Sequence, residues 1–222
     1  MNHSPSPTIS HVSETLRNPV FIDIQCCYDC DYNLFVKELC IRKLGNKFFH
    51  HALYDPPQHF LDDHRRYTPS ASSQSNKWLT RNFHHFNIYD GFRSYALLPG
   101  DVQRVLATNP TIIFVLGSAK IPLIQTLLCG HTKTWEDVDQ LYTVDIGVPI
   151  VDILTLYDTN GCGEDYIDFQ VANIDVLRGR VFLTNNFKPL KKNCPYHFSK
   201  HCALDNATVL MDHFTHVTNK QF

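Results

Sequence analysis

The chain has 222 residues, enough for one large domain or two small ones and for a substantial buried core. Hydrophobic residues make up 43% and charged residues 19%, which excludes wholesale disorder. A formal charge of -2 and a pI near 6.7 exclude the globally basic surface of a general nucleic-acid binder, so any such contact must come from a local patch.

Residues 1–17 are polar and read as a mobile N-terminal arm; residues 18–222 read as a single domain. The arm lacks the apolar stretch of a secretory signal, and no run of about 18 apolar residues follows it. The expectation is an intracellular chain, cytoplasmic or nuclear, without a membrane span. Its eight cysteines are then expected as thiols or metal ligands rather than disulfides. Pro19 to Gln25 is a short β-branched apolar run that predicts a buried strand. Cys27 to Asn33 reads as a turn, in which Tyr28, Asp29 and Asp31 are turn chemistry. Leu34 to Arg42 predicts a second strand and Phe48 to Tyr54 a third, giving an antiparallel meander.

Residues 58–95 and 158–190 carry no clear periodicity and read as insertions. Between them the pattern alternates: Asp101 to Ala107 predicts a helix, Thr111 to Leu116 a buried strand and Ile121 to Leu128 a helix. Tyr142 to Asp145 reads as a further strand and Val151 to Tyr157 as a short helix. In Cys202 to Val217, apolar Ala203, Leu204, Ala207, Leu210, Met211 and Phe214 follow helical spacing, so one face should pack on a sheet. Strands first and alternation later imply an α/β fold with one mixed sheet flanked by helices.

Cys194, His197 and Cys202 place two thiols and an imidazole within nine residues. Thiolate with imidazole suits tetrahedral Zn2+, and three ligands leave one position to fill. Glu38, a carboxylate in an apolar strand, is one candidate, because a cation would offset the cost of burying it. His201 is another, although neighbours such as His201 and Cys202 seldom reach one ion. Cys27 and Cys30, a Cys-x2-Cys pair, form a rival site with Cys194 and His197. The plain alternative is that all are buried thiols. The histidine pairs His50-His51 and His84-His85 suggest a second metal less well, since adjacent residues point apart on a strand.

Asp23, in an apolar strand, and the stretch His201-Cys-Ala-Leu-Asp-Asn206-Ala resemble the first and last motifs of DEDDh exonucleases of the RNase H-like superfamily. That resemblance implies an RNase H-like sheet and four carboxylates holding two metal ions, with the histidine as base. Here Gln25 stands at the second acid, Asn206 at the last, and the middle motif falls near Gly117 to Lys120, which holds no acid. Asp205 is one residue early, and one residue turns a helical side chain by about 100°. The expected site is too weakly anionic to gather two Mg2+ ions. A divergent nuclease built on Asp23, His201 and Asp205 is the alternative reading.

A closer resemblance is to the Maelstrom domain of the germline small-RNA silencing pathway (the piRNA pathway), carried by Glu38-Leu-Cys-Ile-Arg-Lys43, by Cys194 and His197, and by Cys202-Ala203-Leu204. That family is similar to a DEDDh exonuclease that has lost its acids and gained a Glu-Cys-His-Cys zinc site. The resemblance implies Glu38, Cys194, His197 and Cys202 as ligands of a structural zinc that staples the last helix to the sheet. It also implies single-stranded RNA or silencing-pathway proteins as partners, with a weak endonuclease activity in some members. Three groups of cations near aromatics would suit RNA: Arg65-Arg66, Lys77-Trp78 with Arg81, and Lys188 with Lys191-Lys192. Against this, such clusters are usually solvated surface and Trp78 could be core. A protein-interaction scaffold is the third reading.

Overall fold

The computed structural model describes residues 17–29, 31, 33–45, 49–64, 71–130, 147–153 and 202–219. Three strands open the chain as an antiparallel meander: β1 (Pro19–Tyr28), β2 (Leu34–Lys43) and β3 (Phe49–Leu53). Helices α1 (Gln58–His64), α2 (Ala71–Asn82) and α3 (Leu98–Gln103) precede β4 (Ile112–Val115). Then come α4 (Ile121–Leu128), β5 (Ile150–Asp152) and α5 (Ala203–Asn219). β4 runs parallel to β1 and β5 parallel to β4, so the sheet order is β3-β2-β1-β4-β5. A parallel neighbour needs a long crossover, which α1 to α3 supply between β3 and β4.

Strand alternation decides what each face buries. Val20, Ile22 and Ile24 of β1, Leu39 and Ile41 of β2, and Ile113 and Val115 of β4 pack with Leu98 and Val102 of α3 and Leu123, Ile124 and Leu127 of α4. Phe21 and Phe114 face the other way and meet Phe214 of α5, with ring centroids 5.5 and 5.3 Å away. At the start of α5, Ala203 and Ala207 are small enough to bring the helix onto Cys40 of β2. The even positions of β1 thus serve α3 and α4, and the odd positions, Asp23 and Gln25 among them, lie under α5.

The register of β1 on β2 shifts at Gln25/Cys26, and Lys37 is the residue left unmatched. Its side chain is fully buried, and its ammonium donates to the backbone carbonyls of Tyr54 and Asp90. Burial lowers its pKa to about 8. The loop that follows is tied down by Asp101, whose buried carboxylate accepts from Arg93, Arg104 and the Tyr54 hydroxyl (2.7 Å). Gly91 passes so close to Asp55 that a Cβ there would lie 2.5 Å from the Asp55 nitrogen.

Several elements differ from expectation. β1 continues to Tyr28 instead of turning at Cys27, because Cys27 and Tyr28 pair with Phe35 and Leu34 across the bulge. Asp29 does form the turn, accepting from the backbone of Asp31 (2.9 Å) and Asn33 (2.8 Å). The predicted helix at 151–157 begins instead as strand β5, since Val151 pairs with Phe114; its remainder lies outside the described residues. The helix predicted from Asp101 starts earlier, at Leu98, and a separate 3-10 turn covers Leu106–Thr108. Part of the unassigned stretch 58–95 is helical, as α1 and α2. The arm up to residue 16, the strand at 142–145 and residues 158–190 lie outside the described residues.

Candidate functional site

Asp23 sits on the α5 face of the central strand, fully buried. Asn206, in the first turn of α5, donates its Nδ2 to Asp23 Oδ2 at 2.8 Å, and Gln25, two residues along β1, donates its Nε2 to the same oxygen at 3.0 Å. Lys120 donates its ammonium to Oδ1. Lys120 arrives there because β4 ends at Val115, Gly117 turns the chain with a φ of 94°, and a single 3-10 turn (Ser118–Lys120) follows. A φ in that region suits glycine, which has no Cβ to clash. Both amides present their NH2 ends, the only ends that can face a carboxylate.

Two amides and a cation therefore converge on Asp23. Burial raises the Asp23 pKa, opposed by the charge and hydrogen bond of Lys120 and the hydrogen bond of Asn206. The nearby Glu38 pushes it further up. The residues do not fit a two-metal centre: one carboxylate already accepts three hydrogen bonds, and an ammonium supplies the positive charge that metal ions would bring. Asp205 is half-buried while its neighbour Asn206 is the residue that faces Asp23.

A second cluster adjoins the first, because Glu38 pairs with Gln25 across β1 and β2. Glu38, with 0% exposure, accepts from the Ala203 backbone N–H at 3.0 Å through Oε2. A carboxylate there satisfies an orphan amide at the start of α5 and meets the positive end of its dipole. Glu38 Oε1 lies 3.3 Å from the Cys202 thiol and 2.7 Å from His51 Nε2. The donor atoms of Glu38, His51 and Cys202 all lie within 4.8 Å of one another. The carboxylate and thiol, 3.3 Å apart, fit two positions of a Zn2+ site, whose bonds of 2.0–2.3 Å put tetrahedral ligand atoms about 3.3–3.8 Å apart, whereas the 2.7 Å between Glu38 and His51 is hydrogen-bond spacing.

The structure thus brings Glu38 and Cys202 together although 164 positions separate them. Cys194, His197 and His201 lie outside the described residues. His51 is the member of this cluster that sequence reasoning passed over. The two histidines do point apart, His50 toward the Tyr54 hydroxyl (3.1 Å) and His51 toward Glu38. The available signal was register: His51 pairs with Cys40, two residues from Glu38 on the same face. Cys27 packs elsewhere, among Phe35, Leu53, Phe60 and Phe86, 3.7 Å from His84 Nε2, and burial pushes its thiol pKa up; Cys30 lies outside the described residues.

Of the cation–aromatic groups, Lys77, Trp78 and Arg81 fall on α2, and Trp78 is not core: it is 58% exposed, and Lys77 and Arg81 are exposed as well. Asn76 of the same helix is buried and clamps Tyr28 by its backbone N–H (2.8 Å) and carbonyl (2.7 Å), which docks α2 at the C-terminal end of β1. Arg65, Arg66, Lys188, Lys191 and Lys192 lie outside the described residues.

Among the described residues this is an α/β protein with a five-stranded mixed sheet flanked by helices. Its fold is similar to that of a solved structure described as "3'-end specific recognition of histone mRNA stem-loop by 3'-exonuclease". The TM-score is 0.53 at 9% sequence identity, over 91% of this chain and 82% of that one, a likeness of fold alone. No family model and no curated protein sequence matches the chain. No helix among the described residues is long and apolar enough to cross a membrane.

Proposed function

We propose that this chain is a zinc-stabilised, Maelstrom-like RNase H-like module that binds single-stranded RNA, or a protein of a small-RNA silencing pathway, without exonuclease activity. One observation carries the reading: Asp23 is closed by Lys120, Gln25 and Asn206, so the exonuclease position is filled by an internal ion pair. The fold likeness to an RNA-recognising 3'-exonuclease supports an ancestry in which nucleic-acid handling outlasts catalysis. The convergence of Glu38 with Cys202 supports the zinc set Glu38, Cys194, His197 and Cys202. In that set zinc would supply a closed structural link, with Glu38 holding it from the sheet and Cys202 from the residue that precedes α5. The α2 surface supplies a place for RNA, with Trp78 to stack a base and Lys77 and Arg81 to hold phosphates.

The test combines three measurements on one preparation. Elemental analysis of protein purified without added zinc should give about one zinc per chain. Labelled single-stranded RNA at low salt should shift, and more weakly for Trp78→Ala. Incubation with Mg2+ or Mn2+ should leave the RNA's 3' end intact. Metal-dependent 3' trimming abolished by Asp23→Ala would overturn the reading in favour of a working nuclease. Absence of any RNA shift beside a stable protein partner would leave a scaffold.

A further inference from the structure

We propose that His51 is a positioning residue of the zinc centre, holding the Glu38 carboxylate at the ion without itself being a ligand; this rests on the zinc reading above. The distances separate the two roles. Cys202 Sγ and Glu38 Oε1 are 3.3 Å apart, the spacing of two ligands on one tetrahedral ion. His51 Nε2 and Glu38 Oε1 are 2.7 Å apart, which is hydrogen-bond spacing and too close for two ligands of one zinc. His51 therefore donates to the carboxylate oxygen instead of sharing its ion.

The other Glu38 oxygen is taken by the Ala203 N–H at 3.0 Å. Each carboxylate oxygen thus has a nitrogen donor held by a fixed element, His51 of β3 on one side and Ala203 of α5 on the other, which orients the carboxylate. The side chain of His51 is 2% exposed and that of Glu38 0%, so water does not compete for these bonds. The pairing of Cys40 with His51 places the imidazole on the same face as Glu38, and β3 is the edge of the sheet. Hydrogen-bonded partners of ligating side chains commonly set metal affinity in this way. His51 extends the centre to a third element, so that β2, β3 and α5 all depend on the ion.

The experiment uses the full chain with zinc, and with Co2+ substituted for zinc, in wild type, His51→Leu and His51→Gln. Chelator competition should show zinc affinity lowered about 10- to 100-fold in His51→Leu. His51→Gln, which keeps a donor, should recover much of that loss. Bound zinc should stay at one per chain in both. The Co2+ spectrum of each should keep the wild-type tetrahedral bands and thiolate charge-transfer intensity, because the ligands are unchanged. A changed Co2+ spectrum in both variants would make His51 a ligand and overturn the proposal, as would wild-type affinity in His51→Leu. Wild type that itself binds no zinc would sink the zinc reading and this proposal together, an outcome told apart by the wild-type measurement alone. Should His51→Leu fail to fold, His51→Gln still decides, by its spectrum and by an affinity between those of wild type and Glu38→Ala.

Discussion

Replacing Lys120 by Met tests how far the buried ion pair with Asp23 holds the fold. The substitution keeps the aliphatic stem and removes the charge, leaving Asp23 buried with two amide donors. Breaking a buried pair by removing one partner costs about 3–5 kcal/mol, because the remaining charge has no counter-ion. Asp23 is 0% exposed, but the Lys120 side chain is 27% exposed and water screens part of the pair. The expected loss is therefore at the lower end, about 3 kcal/mol at pH 7, a large share of the roughly 5–15 kcal/mol that holds a domain folded. Asp23→Asn combined with Lys120→Met removes both charges and should recover about 2 kcal/mol of that loss. The Asp23 pKa is already raised by burial, and losing Lys120 raises it further. A carboxyl with a raised folded-state pKa binds more protons folded than unfolded, so the deficit of Lys120→Met should shrink as the pH is lowered from 7 toward 4. Urea unfolding of wild type, Lys120→Met, Asp23→Asn and the double variant in EDTA, at several pH values, gives the cycle. A Lys120→Met protein within 0.5 kcal/mol of wild type at pH 7, or a deficit that grows on acidification, would refute the reasoning.

Three further outcomes follow from the same geometry. Gln25→Glu with Lys120→Asp and Asn206→Asp builds an acidic cluster around Asp23. The triple variant should be destabilised without metal and regain stability with millimolar Mn2+ in thermal unfolding, whereas wild type should not respond. Asp101 is buried, which alone would raise its pKa, but hydrogen bonds from Arg93, Tyr54 and Arg104 outweigh burial and hold it at about 2. Against an ordinary value of 3.8, that contributes about 2 kcal/mol above pH 4, lost as pH falls toward 2; in Asp101→Asn this part of the acid transition should vanish from urea titrations. Gly91→Ala should lower stability by about 2 kcal/mol or more by thermal melting, since its Cβ would lie 2.5 Å from the Asp55 nitrogen and 2.6 Å from its Cα, both backbone atoms that cannot rotate aside.

Local patterning settled much of this protein in advance. The meander and the central strand showed in apolar runs, and the last helix in its 3.6-residue spacing, because one buried face is written along each segment itself. That Gln25, Asn206 and the stretch Gly117 to Lys120 offer no acid was also readable, since residue identity is a fact of sequence. Their consequence was not. That Lys120 reaches Asp23 across 97 positions depends on the turn at Gly117, and that Asn206 rather than Asp205 meets it depends on how α5 rotates on the sheet. Helix β-strand discrimination at Val151 failed because a three-residue segment has too little periodicity, and its pairing with Phe114 decided the outcome. His51 was invisible for a related reason: it lies 13 residues from Glu38, and only the strand register sets which of two adjacent histidines faces the carboxylate. Sequence by itself determined which chemical groups this domain carries and the faces its elements bury. Tertiary structure alone decided which of those groups meet, because contacts between distant residues are fixed by register and helix rotation, which no local pattern encodes.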